Sequence, residues 1–121
     1  MFQISNNDFK ILNKYKEFIS KVYNILENVP RKDMYYKDYI RSILFNLLES
    51  IFKSSYESNK DNLNNYYINI KSGIAMINFM IDRLYMKKYI SERQVYKLGN
   101  ELVEINKMVT GWINNKLWIY V

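Results

Sequence analysis

The side chains that most enzymes use for proton transfer and nucleophilic attack are largely missing from this sequence. Its 121 residues include no His and no Cys, which removes His-dependent acid–base pairs, thiolate nucleophiles and most zinc sites. Carboxylates remain, and the best-spaced pair is Glu101 and Glu104, which would share one face of a helix. Acidic residues at this spacing are common on solvated helix surfaces. We therefore predict no catalytic residue, no metal ligand and no cofactor.

Positive charge and aromatic rings offer a different chemistry, because they concentrate in two stretches of the chain. Residues 30–41 and 83–97 together hold nine basic and three acidic residues, which accounts for the whole net charge of +6. The basic side chains are Arg31, Lys32, Lys37, Arg41, Arg83, Lys87, Lys88, Arg93 and Lys97. The tyrosines interleaved with them are Tyr35, Tyr36, Tyr39, Tyr85, Tyr89 and Tyr96. Cations contact phosphates and rings stack on unpaired bases, so this combination favours binding of RNA or single-stranded DNA.

Each half of this pattern also has an explanation that involves no ligand. Lys87 and Lys88 suit a helix C-terminus, where the macrodipole attracts cations. Tyrosine rings are often half-buried at the ends of helical bundles. A third basic group, Lys10, Lys14 and Lys21, is interrupted by Glu17 and is better interpreted as a solvated helix face.

The elements that would position these residues are four amphipathic segments with apolar residues at alternating spacings of four and three. The first stripe comprises Ile11, Tyr15, Phe18, Val22, Ile25 and Val29, widened by Leu12, Ile19 and Leu26. The pattern predicts helices over about 9–28, 34–57, 60–87 and 91–115, with an apolar tail at 117–121. Asp8 is the expected first N-cap, Pro30 ends the first segment, and Ser91 with Gln94 forms a capping box.

The fold class expected from these segments is all-α, with residues 1–121 forming one antiparallel up-down-up-down four-helix bundle. No segment alternates with the period of a strand, so we expect no sheet. Short connections make sequential helices antiparallel, so the first and third connections lie at the same end. The two basic stretches then meet there, and we call residues 30–41 and 83–97 the basic end. Gly73, Gly99 and Gly111 are expected where helices pack closely.

The chain carries more apolar surface than one bundle can bury. Tyr66, Met76, Phe79 and Met80 lie off the main row of the third segment, and the tail adds Trp118. Packing of these residues back onto the bundle is one explanation. We favour the other, which is a homo-oligomer that uses them as its interface.

Several short stretches resemble the small bacterial four-helix proteins typified by the accessory variability determinant of diversity-generating retroelements, and more distantly the proteins of ribosomal-RNA intervening sequences. The matching stretches are 15–19, 22–30, 44–51, 89–91 and 111–113, and the likeness extends over about residues 9–116. The resemblance implies a pentameric ring with a basic surface that binds template RNA and a reverse transcriptase. Two features depart from the pattern, namely Asp82 in the third helix and the tail at 117–121.

Three functions are consistent with the sequence. The first is a non-enzymatic nucleic-acid-binding accessory protein that partners a reverse transcriptase. The second is an oligomeric scaffold of the intervening-sequence type without a polymerase partner, and the third, disfavoured by the lack of His and Cys, is a carboxylate-dependent enzyme. The N-terminus lacks the pattern of a signal peptide, and no apolar run is long enough to span a membrane, so we expect a cytoplasmic protein.

Overall fold

The computed structural model describes the backbone of residues 6–119 and the side chains of residues 10–117. Four helices account for most of this range: α1 (Asn6–Leu26), α2 (Met34–Tyr56), α3 (Lys60–Met86) and α4 (Glu92–Ile119). A 3₁₀ helix, Arg31–Asp33, precedes α2. The described residues contain no strand, so the all-α prediction is confirmed. None of the described helices is both long and apolar enough to cross a membrane.

Each helix packs against two others, in the cyclic order α1, α2, α3, α4 and back to α1. The core between them consists of the stripes that the spacing predicts. All nine apolar residues assigned to the first stripe are buried, from Ile11 to Val29. A polar contact also ties α1 to α2, because the Tyr15 hydroxyl donates a hydrogen bond to the Leu44 carbonyl at 2.6 Å. Burial raises the pKa of Tyr15 far above its usual range.

The ends of α1 differ from the sequence prediction. The helix begins at Asn6, so Asp8 lies inside its first turn and is not the N-cap. It ends at Leu26, because the amides of Asn28 and Val29 bond to carbonyls three residues back and tighten the chain into a turn. This turn directs Val29 into the core.

Local hydrogen bonds define the connection between α3 and α4. The amide of Tyr89 donates to the Leu84 carbonyl and that of Lys88 to the Tyr85 carbonyl, which is a Schellman motif. Lys88 therefore occupies the left-handed position that usually holds Gly, with φ of 66°. The capping box that starts α4 is present, since Ser91 and Gln94 exchange side-chain and backbone bonds of 2.8 and 3.1 Å.

The predicted apolar tail at 117–121 is partly wrong, because α4 continues to Ile119. No Pro or Gly interrupts this stretch, and Leu117 follows the buried Ile113 by four residues, so the stripe extends for another turn. Leu117 packs partly buried against the core. The side chain of Trp118, assigned to an oligomer interface, lies outside the described residues.

The three glycines have different surroundings. A Cβ at Gly73 would lie 3.1 Å from Leu47 Cδ1, so α2 and α3 approach each other closely there, as expected. A Cβ at Gly99 or Gly111 would meet no atom within 4 Å. The expectation of close packing is therefore wrong for these two positions, which face open space.

The apolar residues assigned to the oligomer interface differ in their exposure to solvent. Phe79 is 56% exposed and Met76 is exposed as well, whereas Tyr66 is half-buried. Met80 is only 4% exposed, which removes it from the surplus surface. It follows Ile77 by three residues and precedes Leu84 by four, so it shares their core-facing side of α3. Exposed apolar residues that the sequence did not single out include Ile68 and Met86 on the same helix.

Candidate nucleic-acid interface

The first and third connections of the chain meet through Asp33, whose side chain is only 14% exposed. Its carboxylate accepts hydrogen bonds from the Tyr89 hydroxyl and from Lys87 Nζ, the latter at 3.4 Å. The bond from Tyr89, followed by that from Lys87, lowers the pKa of Asp33. The same carboxylate raises the pKa of Tyr89 to about 12. This cluster, which we call the Asp33 clasp, brings the two halves of the basic end into contact.

The nine basic residues of the basic end fall into two groups by exposure. Five are exposed and form no ion pair with any described side chain: Arg31, Lys32, Lys88, Arg93 and Lys97. The other four, Lys37, Arg41, Arg83 and Lys87, are partly buried. The five exposed cations are available to contact phosphates.

Two of the partly buried cations are engaged within the protein. Arg41 lies 3.8 Å from Asp38 and also covers the ring of Tyr23 at 5.6 Å. Lys87 pairs with Asp33 and lies 5.2 Å from the centre of the Tyr36 ring. The sequence predicts that Lys87 contacts phosphate, whereas these contacts make it an internal link between the third connection and the start of α2.

The tyrosines of the basic end range from half-buried to largely exposed. Tyr36 and Tyr89 are half-buried, whereas Tyr35 is 75% and Tyr96 73% exposed. At the start of α2 the ring of Tyr35 meets Tyr36 edge-on, with centroids 6.3 Å apart. Its other contact is a stacked one with Tyr39, at 6.0 Å and an interplanar angle of 11°. Both separations are typical of favourable aromatic pairs.

The sequence alone does not indicate that Asp33 connects these groups. Asp33 is only a negative residue in a basic stretch there, and its partners lie more than 50 positions away. The only available signal was the topological prediction that the first and third connections share one end. The spacing of residues in the sequence does not predict which carboxylate contacts which lysine in the folded protein.

The carboxylates considered for catalysis are both in ion pairs with α1. Glu104 lies 3.2 Å from Lys14, and Glu101 pairs with Lys21 in a contact that raises the pKa of the lysine. The two glutamates thus fasten α4 to α1. Among the described residues no three acidic side chains come together as a metal site would require.

The structure defines a class, namely a four-helix, all-α protein with a cluster of exposed cations and tyrosines where two of its connections meet. A protein-family model described as bAvd-like, the bacterial accessory variability determinant, matches residues 9–116. Because the match covers most of the chain, the protein belongs to this family, the accessory proteins of diversity-generating retroelements. No curated protein sequence matches the chain.

Proposed function

We propose that this chain is a non-enzymatic accessory protein that binds RNA or single-stranded DNA at its basic end and associates with the reverse transcriptase of a diversity-generating retroelement. The observation that carries the proposal is the contact of Asp33 with Lys87 and Tyr89. Through it, cations from two distant stretches of sequence share one surface. Family membership supplies the retroelement context.

The proposal includes an antiparallel up-down-up-down bundle, and contacts between helices support this topology. The ion pairs between α1 and α4 run in reverse order along the two helices, since Lys14 meets Glu104 and the later Lys21 meets the earlier Glu101. Within the α3–α4 pair, Tyr67 near the start of α3 lies 3.3 Å from Thr110 near the end of α4. Neighbouring helices that run in opposite directions produce such contacts.

Binding at the basic end would use mainly Arg31, Lys32, Lys88, Arg93 and Lys97. An exposed cation without a carboxylate partner releases counterions when it meets a phosphate, and this release supplies most of the non-specific affinity for nucleic acid. Lys37, Arg41 and Arg83 would add to the local potential. Lys87 would contribute less as a direct contact, because Asp33 already neutralises it.

We further propose a homo-oligomer, with a pentamer favoured by the resemblance of the sequence. Support comes from the exposed apolar residues of α3, namely Ile68, Met76, Phe79 and Met86. Tyr66 does not adjoin this surface, because it is two positions from Ile68 and lies on nearly the opposite side of α3. Met80 has no role in it, because it belongs to the core.

Co-expression with the reverse transcriptase encoded by the same retroelement tests the proposed partnership. The two proteins should elute together in size-exclusion chromatography, with and without nuclease treatment. Separate elution in both conditions would instead support an oligomeric scaffold of the intervening-sequence type. Co-elution that disappears with nuclease would mean that nucleic acid alone joins them, and direct association with the polymerase would be wrong.

A further inference from the structure

Three tyrosines at the start of α2 form a connected set of rings, which we call the tyrosine cluster: Tyr36, Tyr35 and Tyr39. Its innermost ring, Tyr36, is half-buried and lies beneath the ammonium group of Lys87. A cation over a ring face stabilises that ring's position. Because Asp33 in turn holds Lys87, the inner end of the cluster is fixed by the clasp.

The outer end of the cluster is open to solvent. Tyr35 keeps 75% of its surface exposed even though it contacts two other rings, and Tyr39 is 38% exposed. The ring contacts of Tyr35 within the described residues are with Tyr36 and Tyr39. Tyr35 and Tyr39 are near-parallel, so a further planar group that stacks on the exposed ring of Tyr35 would continue the same alignment.

Two exposed cations lie next to this surface in the sequence. Arg31 and Lys32 occupy the 3₁₀ helix directly before α2, whereas Lys37, between Tyr35 and Tyr39, is partly buried. Surfaces that hold single-stranded nucleic acids combine these two features, with cations along the backbone of the strand and rings against its bases. In a duplex the faces of the bases are covered by the neighbouring base pairs. A duplex can therefore contact the cations through its phosphates but cannot stack its bases on the tyrosine rings.

We propose that Tyr35 and Tyr39 form a stacking surface for unpaired bases and thereby make the basic end selective for single strands over duplexes. The inference rests on the proposed nucleic-acid binding and specifies what that binding discriminates. Both RNA and DNA single strands offer the stacking base, and the 2′-hydroxyl plays no part in it.

Fluorescence anisotropy with unstructured RNA and DNA single strands, and with a duplex of equal phosphate number, tests the proposal. Replacing Tyr35 by Leu should weaken single-strand affinity by about five- to a hundredfold, the range found when one stacked base loses its ring. Affinity for the duplex should not change. Tyr39→Leu should act in the same direction, and Tyr35→Phe should retain wild-type affinity because stacking needs the ring and not the hydroxyl.

Tyr96→Leu is the matched control, because Tyr96 is a similarly exposed tyrosine of the basic end that stacks on no described ring. Its replacement should reduce single-strand affinity much less than Tyr35→Leu does. Equal losses for Tyr35→Leu and Tyr96→Leu, equal losses on single strand and duplex, or no loss with Tyr35→Leu would each overturn the stacking surface while leaving nucleic-acid binding intact. Absence of binding by the wild type to every probe would overturn the proposed function itself, and the stacking surface with it.

Discussion

At the scale of single residues, Asp33 determines how the basic end is organised. It is the acidic side chain that joins Lys87 and Tyr89, and it connects the turn before α2 to the turn after α3. An acidic residue in a basic stretch lowers the net positive charge, yet here it also holds the two stretches together. The contribution of a residue to the proposed binding surface therefore depends on its contacts as much as on its charge.

The clasp predicts a pH-dependent contribution to stability. Asp33→Asn should lower the melting temperature near neutral pH, because it removes the ion pair and weakens the bond from Tyr89. The folded-state pKa of Asp33 lies below its ordinary value of 3.8, so its contribution is complete above that value and is lost as the pH falls through the lower folded value. Melting curves followed by circular dichroism should therefore converge for wild type and variant in acid.

Tyr89→Phe tests the same contact from the alkaline side. The folded-state pKa of Tyr89 is about 12, against an ordinary value of 10.0. The hydrogen bond from Tyr89 to Asp33 therefore stabilises the fold in full below pH 10.0, and this contribution is lost as the pH rises through about 12. Asp38→Asn is the control, since Asp38 is well exposed and its pair with Arg41 lies on the surface. A difference between wild type and Asp33→Asn that persists unchanged into acid would contradict the clasp.

At the scale of helices, the spacing of apolar residues predicts the interior well. The first stripe is buried in full, because apolar residues that recur with the helical period of 3.6 lie on one side of the helix, and that side packs against the core. The helix ends are less predictable, since the turn after Leu26 depends on backbone bonds that its sequence does not specify. Met80 was misassigned because a stripe defined by a single row underestimates the width of the face that α3 buries.

The glycines test the packing of individual helices. Gly99→Ala should raise the free energy of unfolding by about 1 kcal/mol, because Ala is the better helix former and the new methyl group meets no atom. Gly73→Ala should bring a smaller gain or a loss, since Leu47 must move to admit the methyl group. Chemical denaturation at one protein concentration measures both. A larger gain at Gly73 than at Gly99 would contradict the close approach of α2 and α3.

At the scale of the whole molecule, the exposed apolar face of α3 predicts self-association. Phe79→Glu should reduce the mass measured by light scattering towards that of the monomer, because it places a charge within the proposed interface. Phe45→Glu is the matched control, since Phe45 has a similar exposure of 52% but lies on α2 beside Tyr23. A wild-type protein that is already monomeric at micromolar concentration, or equal effects of the two variants, would contradict the proposed interface.

The location of the proposed nucleic-acid site could be predicted only in part. The positions of the charged residues and the short connections predict which end of the molecule carries this site. They do not predict which cations are exposed and which are engaged in contacts, because Arg41 and Lys87 meet their partners through tertiary contacts. The clearest test therefore replaces only cations that are exposed and free of ion pairs with described residues.

The central claim is that nucleic acid binds at the basic end, and the salt dependence of affinity tests it most directly. One variant replaces Lys32, Lys88, Arg93 and Lys97 by Gln, and the control replaces Lys10, Lys16, Lys60 and Lys107, which are exposed and lie outside the basic end. Both lose the same charge, and exposed cations contribute little to stability, so both should fold.

Affinity for a single strand is measured over a series of salt concentrations. Each phosphate contact contributes about 0.7 to the slope of log K against log salt, so the first variant should flatten that slope by about two to three units. The control should leave the slope nearly unchanged. Equal flattening in both variants would mean that bulk charge alone governs binding, and a wild type that binds no strand at low salt would contradict the account.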